Sequence, residues 1–225
     1  ALRAPMALFC SALSLILMLA LIKPVFLQGE VINYWMGGRS IAGGYAIGIS
    51  MEVDAMNLFF GLLLTAAGFI SCVYSYQYLE HDDHVAQYYT LFLMLCGGVL
   101  GMLLTGDLFN MYIMVEILTF AAVALTAFRK KVYGALEAAF KYFVVGTIGS
   151  VCVLLGIVML YAQAHTLNIA QLSAMIPGNM NTATKLAFAL MFVGFSTKAF
   201  IVPFHPLAAD AHGAAPASVS VMISG

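Results

Sequence analysis

The sequence predicts an all-α fold: a polytopic bundle of transmembrane helices, one of them discontinuous. Composition is the first observation behind this. The 225 residues are 63% hydrophobic and 8% charged, whereas soluble domains carry roughly 25% charged residues. The second is pattern. The apolar stretches are long and do not alternate in polarity, which excludes the short two-periodic strands of an outer-membrane barrel. The third lies in KAFIVPFHPLAADAHGAAP, residues 198–216. Residues 187–202 are apolar enough for a membrane helix, yet the run holds Lys198, and Pro203 and Pro206 then remove amide donors that a continuous helix needs.

A net charge of −1 gives no reason to expect nucleic acid as a partner. Cys10, Cys72, Cys96 and Cys152 stand singly in apolar surroundings, without the spacing of zinc or cluster ligands, and read as packing residues.

The first helix is expected at residues 4–22, ending near Lys23 and Pro24. Arg3 ahead of an apolar core also fits a signal peptide, but the core is as long as a full span and no small-x-small cleavage site follows, so a retained helix is expected. Residues 31–54 are too rich in glycine, and too interrupted by Arg39, Glu52 and Asp54, to span. They are expected to form an extramembrane loop, with a hairpin as one form it can take, and to place Trp35 at an interface. A second helix covers 55–78 and stops at Glu80, His81, Asp82, Asp83 and His84, a solvated loop rather than a metal site.

The third helix, 88–104, carries Gly97 and Gly101, four apart, a spacing that lets a neighbour approach closely. Thr105-Gly106-Asp107 supplies a helix-ending glycine and a helix-starting aspartate, so the fourth helix, 108–128, folds back as a hairpin. It holds Glu116 near mid-span. A carboxylate there costs about 2.5 to 3.5 kcal/mol on insertion scales, so it must face protein or water. Arg129, Lys130 and Lys131 follow and mark the cytoplasmic side. The fifth helix, 136–162, has Glu137 and Lys141 as an i,i+4 pair, then Gly146, Gly149 and Ser150. The loop 163–181 has no Lys or Arg and belongs outside. A sixth helix at 184–202 is broken over 203–214 and resumes at 215–225 as part of one transmembrane domain. Ala1 is not an initiator and Gly225 falls within an apolar run, so both ends are expected to be cuts in a longer polypeptide.

Three motifs, TGDLFNMYIMVEILTF (105–120), LEAAFKYFVVGTIGS (136–150) and KAFIVPFHPLAADAH (198–212), resemble the antiporter-like membrane subunits shared by respiratory complex I, Mrp-type Na+/H+ antiporters and energy-converting membrane-bound hydrogenases. The resemblance implies two inverted repeats, each with one discontinuous helix, of which this chain would hold the first. It also implies a multi-pass protein of the inner, cytoplasmic membrane. The family's paired glutamate and lysine fall on Glu116 and Lys198, the lysine near the start of its sixth helix on Lys141, and the histidine after its helix break on His205. Asp210 and His212 match the Asp-Ala-His that ends the break. Pro206 followed by Leu207, Ala208 and Ala209 departs from the family's usual Trp-Leu-Pro.

What the resemblance implies in function is translocation of protons, with Na+ the other candidate, inside a hetero-oligomeric complex that includes related antiporter-like subunits. No residues here suit quinone, flavin, nucleotide or cluster binding. Catalysis by a hydrogenase or NADH/quinone oxidoreductase, and any iron-sulfur clusters or other redox centres, are therefore expected in partner subunits. The chemistry is plausible: a lysine's proton affinity falls on desolvation and rises beside a carboxylate. Two unit charges about 4 Å apart, at an effective dielectric of about 20, interact by ~4 kcal/mol, or roughly 3 pKa units. The competing reading is a subunit that keeps the fold but only scaffolds its neighbours.

Overall fold

The computed structural model describes residues 3–38, 41–42, 45–46, 48–80, 82, 84–178 and 180–224. Nine α-helices carry most of these residues: α1 (Arg3–Ala20), α2 (Ala55–Tyr78), α3 (Val85–Leu104), α4 (Leu108–Thr126), α5 (Ala135–Ala164), α6 (Ile169–Met175), α7 (Thr182–Lys198), α8 (Pro206–Ala214) and α9 (Ala217–Ser224). Five segments, α1 with its extension and α2 to α5, are long and apolar enough to cross a membrane. The protein is an integral, multi-pass helical bundle.

Several boundaries differ from the sequence expectation. The first helix does not end at Lys23 and Pro24, because a π-helical turn, Lys23–Leu27, tolerates the proline in its first turn and carries the helix onward. Gly29, at φ 69°, then turns the chain. Within 31–54 the described residues include two antiparallel strand pairs, the hairpin form of the expected loop. Ile32–Trp35 (β1) pairs antiparallel with Ser50–Val53 (β4), and Ile41–Ala42 (β2) with Tyr45–Ala46 (β3). The loop expected at 163–181 contains α6, capped by the Asn168 side chain. Arg39, His81, Asp83 and Gly225 lie outside the described residues.

The α3–α4 hairpin is close-packed through glycine, but not at the expected pair. Gly97 faces open space. A methyl group at Gly98 would lie 3.0 Å from the Leu118 backbone nitrogen, and one at Gly101 would lie 2.6 Å from the Met114 sulfur. The relevant spacing is thus three, because successive glycines 98 and 101 stay on the face that α4 covers. The α5–α7 seam is tighter still. A methyl at Gly156 would meet the Ala187 carbonyl at 2.7 Å, and one at Gly194 would strike the Gly149 carbonyl and the Val153 nitrogen.

Two ends of the bundle are pinned by polar contacts. At the basic end, Arg129 forms an ion pair with Asp82 (2.8 Å), donates to the Tyr78 hydroxyl (2.7 Å) and lies over the Tyr78 ring. Burial works against the Arg129 charge, but Asp82 and Tyr78 outweigh it and hold the guanidinium above its usual range. Asp82, expected in a merely solvated loop, therefore ties the α2–α3 link to the α4–α5 link. At the opposite end three loops interlock. Gly106 N–H donates to the Ser50 carbonyl, Leu108 N–H to the Leu167 carbonyl and Ile169 N–H to the Gly106 carbonyl, each at 2.9 Å. Asn168 Nδ2 adds a 3.0 Å bond to Ser50 Oγ.

Candidate functional site in the bundle interior

Lys198 is the last residue of α7, and its side chain runs inward rather than to lipid. Its Nζ donates to Thr119 Oγ1 on α4 (2.8 Å) and to the Gly146 carbonyl on α5 (3.0 Å). Thr119 lies seven residues before the end of α4, roughly 10 Å along the helix at 1.5 Å per residue, so the ammonium sits well inside the bundle. The glycine seam makes this reach possible. Because Gly149, Gly156 and Gly194 let α5 and α7 touch, Lys198 arrives beside Gly146, where an added methyl would stand 3.5 Å from Nζ.

Glu116 is the ninth of the 19 residues of α4 and lies one turn from Thr119. Its Oε1 is buried and accepts no hydrogen bond among the described residues. No direct ion pair joins Glu116 to Lys198, which meets α4 one turn further along, at Thr119. The arrangement is therefore an ammonium held by neutral acceptors, with a buried carboxylate oxygen nearby that it does not touch.

The break after Lys198 is shorter than the sequence suggested. Residues 199–205 are irregular, with Phe200 at φ 52°, but α8 begins at Pro206 and includes Asp210 and His212. The reason is that proline has a fixed φ suited to a first helical turn, where its missing N–H has no partner to lose. Pro203 stays in the break. Ile201 N–H donates to the Ser196 carbonyl (3.0 Å) and Phe204 N–H to that of Ile201 (2.7 Å), which supplies part of the backbone pairing that the broken helix gives up. The freed carbonyls of a helix broken at two prolines call for neighbouring helices to flank the whole segment, and this structure departs from that: Phe200 packs on Tyr142, while Ile201, Val202, Pro203 and His205 are exposed on this chain.

The remaining candidates fall in two other places. Lys141, on α5, is exposed and pairs with Glu137 (2.7 Å) and with Asp210 on α8 (3.4 Å). These charges line an open cavity of 310 Å³ with Tyr133, Ala209 and Gly213. His212 Nδ1 is 2.7 Å from Ser220 Oγ, which clasps α8 to α9. His205 stands at the start of α8, where its ring makes no hydrogen bond among the described residues. Glu116 and Lys198 are thus brought into one interior region, Lys141 and Asp210 into another, and His205 into neither.

Thr119 and Gly146 were not singled out as site residues from the sequence. The available signal was spacing: Thr119 is three residues from Glu116 and so on the same face of α4.

Comparison with known proteins bears on this geometry. A family profile for the transmembrane region of NADH:quinone oxidoreductase and Mrp antiporter subunits matches residues 105–225, and one for the N-terminus of chain 5 of NADH-ubiquinone oxidoreductase (complex I) matches residues 40–89. The F(420)H(2) dehydrogenase subunit N of Methanosarcina mazei is 32% identical over 177 residues, 78% of this chain and 36% of that protein. The NADH-quinone oxidoreductase subunit N of Cupriavidus taiwanensis is 32% identical over 201 residues, 87% of this chain and 41% of that protein. A chain of the membrane-bound sulfane sulfur reductase, an archaeal respiratory membrane complex, superposes with a TM-score of 0.92 at 29% identity, over 100% of this chain and 46% of its own. A chain of the Mrp complex from a Dietzia species shares the fold, with a TM-score of 0.81 at 24% identity, over 99% of this chain and 41% of its own. This chain spans less than half the length of each of these relatives.

Proposed function

The chain belongs to the NADH:quinone oxidoreductase/Mrp antiporter transmembrane family, and we propose that it is an ion-translocating membrane subunit of a multisubunit redox-driven pump or cation/proton antiporter complex. Protons are the preferred ion and Na+ the alternative. Glu116 and Lys198 act as a switchable relay, in which the lysine carries the proton and the charge of the carboxylate sets whether it is held or released. Related antiporter-like subunits are the expected neighbours, and iron-sulfur clusters or other redox centres belong to partner subunits.

The observation that supports this reading most is the setting of Lys198. Its ammonium ends in the bundle interior on two uncharged acceptors, while a buried carboxylate oxygen stands nearby without a partner. A static salt bridge would bring the two charges into contact, since separating them in a poorly polarisable interior costs free energy. A pair held apart but within electrostatic reach suits a relay, because the proton affinity of one member then follows the charge of the other.

The test is ion uptake into vesicles that contain the intact complex, with assembly measured separately. Lys198→Ala and Glu116→Ala should each assemble and lose most of their transport, at least about tenfold, the scale of one pKa unit. Normal transport in both variants would instead support a scaffold subunit.

A further inference from the structure

We infer that Thr119 Oγ1 and the Gly146 carbonyl form a resting cradle for Lys198, a second docking position that receives the amine when Glu116 does not hold it. This rests on the relay proposed above and adds Thr119 to it as a positioning residue.

The polarity of the Thr119 hydroxyl carries the argument. Its single proton is donated to the Val115 carbonyl, one turn back, at 2.6 Å. Only lone pairs therefore face Nζ, which lies 2.8 Å away. Thr119 can accept from the lysine and cannot donate to it. The Gly146 carbonyl is a more contested partner, since it also accepts the Ser150 hydroxyl at 3.0 Å. Thr119 is thus the acceptor that the lysine has most to itself.

Such a cradle serves both protonation states. An ammonium has three N–H donors and a neutral amine two. With two N–H groups directed at Thr119 and Gly146, the third position is either the remaining N–H or the lone pair. Loss or gain of the proton then occurs at that third position, and the nitrogen need not leave its two anchors. Glu116 is one turn away on the same face of α4, and side chains three apart on a helix are neighbours. The exchange of one partner for the other is therefore a movement of the flexible lysine stem along one turn of α4.

The space for this exchange is built into α5. Gly146 has no side chain, and a methyl there would meet Thr119 Cγ2 at 3.4 Å and Nζ at 3.5 Å. A larger side chain would occupy the volume in which the ammonium rests.

The experiment compares Thr119→Val with Thr119→Ser in vesicles that contain the intact complex, alongside Lys198→Ala. Valine preserves shape and removes the acceptor; serine restores the hydroxyl. Transport per assembled complex should fall about tenfold in Thr119→Val, as expected for losing one hydrogen bond to a charged group. Thr119→Ser should recover most of the wild-type rate. Should valine impair assembly, Thr119→Ala removes the hydroxyl without adding bulk and carries the same expectation. Wild-type transport in Thr119→Val, with Lys198→Ala inactive, would overturn the cradle and leave the relay standing. A serine variant as slow as the valine one would also overturn it, because the hydroxyl would then not be the feature that matters. Full activity in Lys198→Ala would remove the relay itself, and the cradle with it.

Discussion

One turn of α4 sets a carboxylate and a hydroxyl side by side, and the lysine that reaches them from α7 touches only the hydroxyl. At the scale of single residues the site is therefore a choice between acceptors. Gly146 is the residue that leaves room for it. Gly146→Ala adds one methyl at ordinary contact distance and should assemble with much of its transport intact. Gly146→Leu fills the volume around Nζ at a buried position, so it should lower the assembled yield by overpacking and lose transport per assembled complex about tenfold or more. Transport per assembled complex, measured for both, checks this. That Glu116 and Lys198 are interior charges was legible in the sequence, because a charge inside an apolar run announces its own cost. Thr119 and Gly146 were not, because threonine and glycine occur throughout membrane helices for packing alone. Only the tertiary contact, across 79 and 52 positions of sequence, brings them to Lys198.

Among elements, α5 and α7 matter most, since their seam decides how far Lys198 can reach. An added methyl at Gly194 would strike backbone atoms of α5, which cannot swing aside as a side chain can. Gly194→Ala should therefore cost about 1 to 3 kcal/mol and part the two helices. Transport should fall with it, because Lys198 would no longer meet Gly146. Gly97→Ala is the control; Gly97 has open space before it, and thermal unfolding in detergent should leave that variant near wild type. The spans α2 to α5 were readable from hydropathy, and the helix break from its prolines. The extent of the break was not. Pro203 and Pro206 look alike in sequence, yet one sits in irregular chain and the other opens α8. Asp210 and His212 consequently become helical residues that join α8 to its neighbours, through Lys141 and Ser220 respectively.

For the molecule as a whole, the two ends do different work. The end opposite Arg129 is stitched by short hydrogen bonds among the β-ribbon, the Gly106 turn and the chain before α6, and it contains neither Glu116 nor Lys198. Asn168→Ala removes both the bond to Ser50 and the cap on the Gln171 N–H. It should lower stability by about 1 to 2 kcal/mol, seen as a lower unfolding temperature in detergent, while transport per assembled complex stays near wild type. The interior, in the proposed relay, holds its charges apart so that one sets the proton affinity of the other. The measurement that tests this most directly is ion uptake by the intact complex carrying Lys198→Arg. A guanidinium keeps its positive charge and can still pair with Glu116, but it does not release its proton in the working pH range. The relay predicts a complex that assembles and does not transport; near-normal uptake would mean that Lys198 serves only as a fixed positive charge.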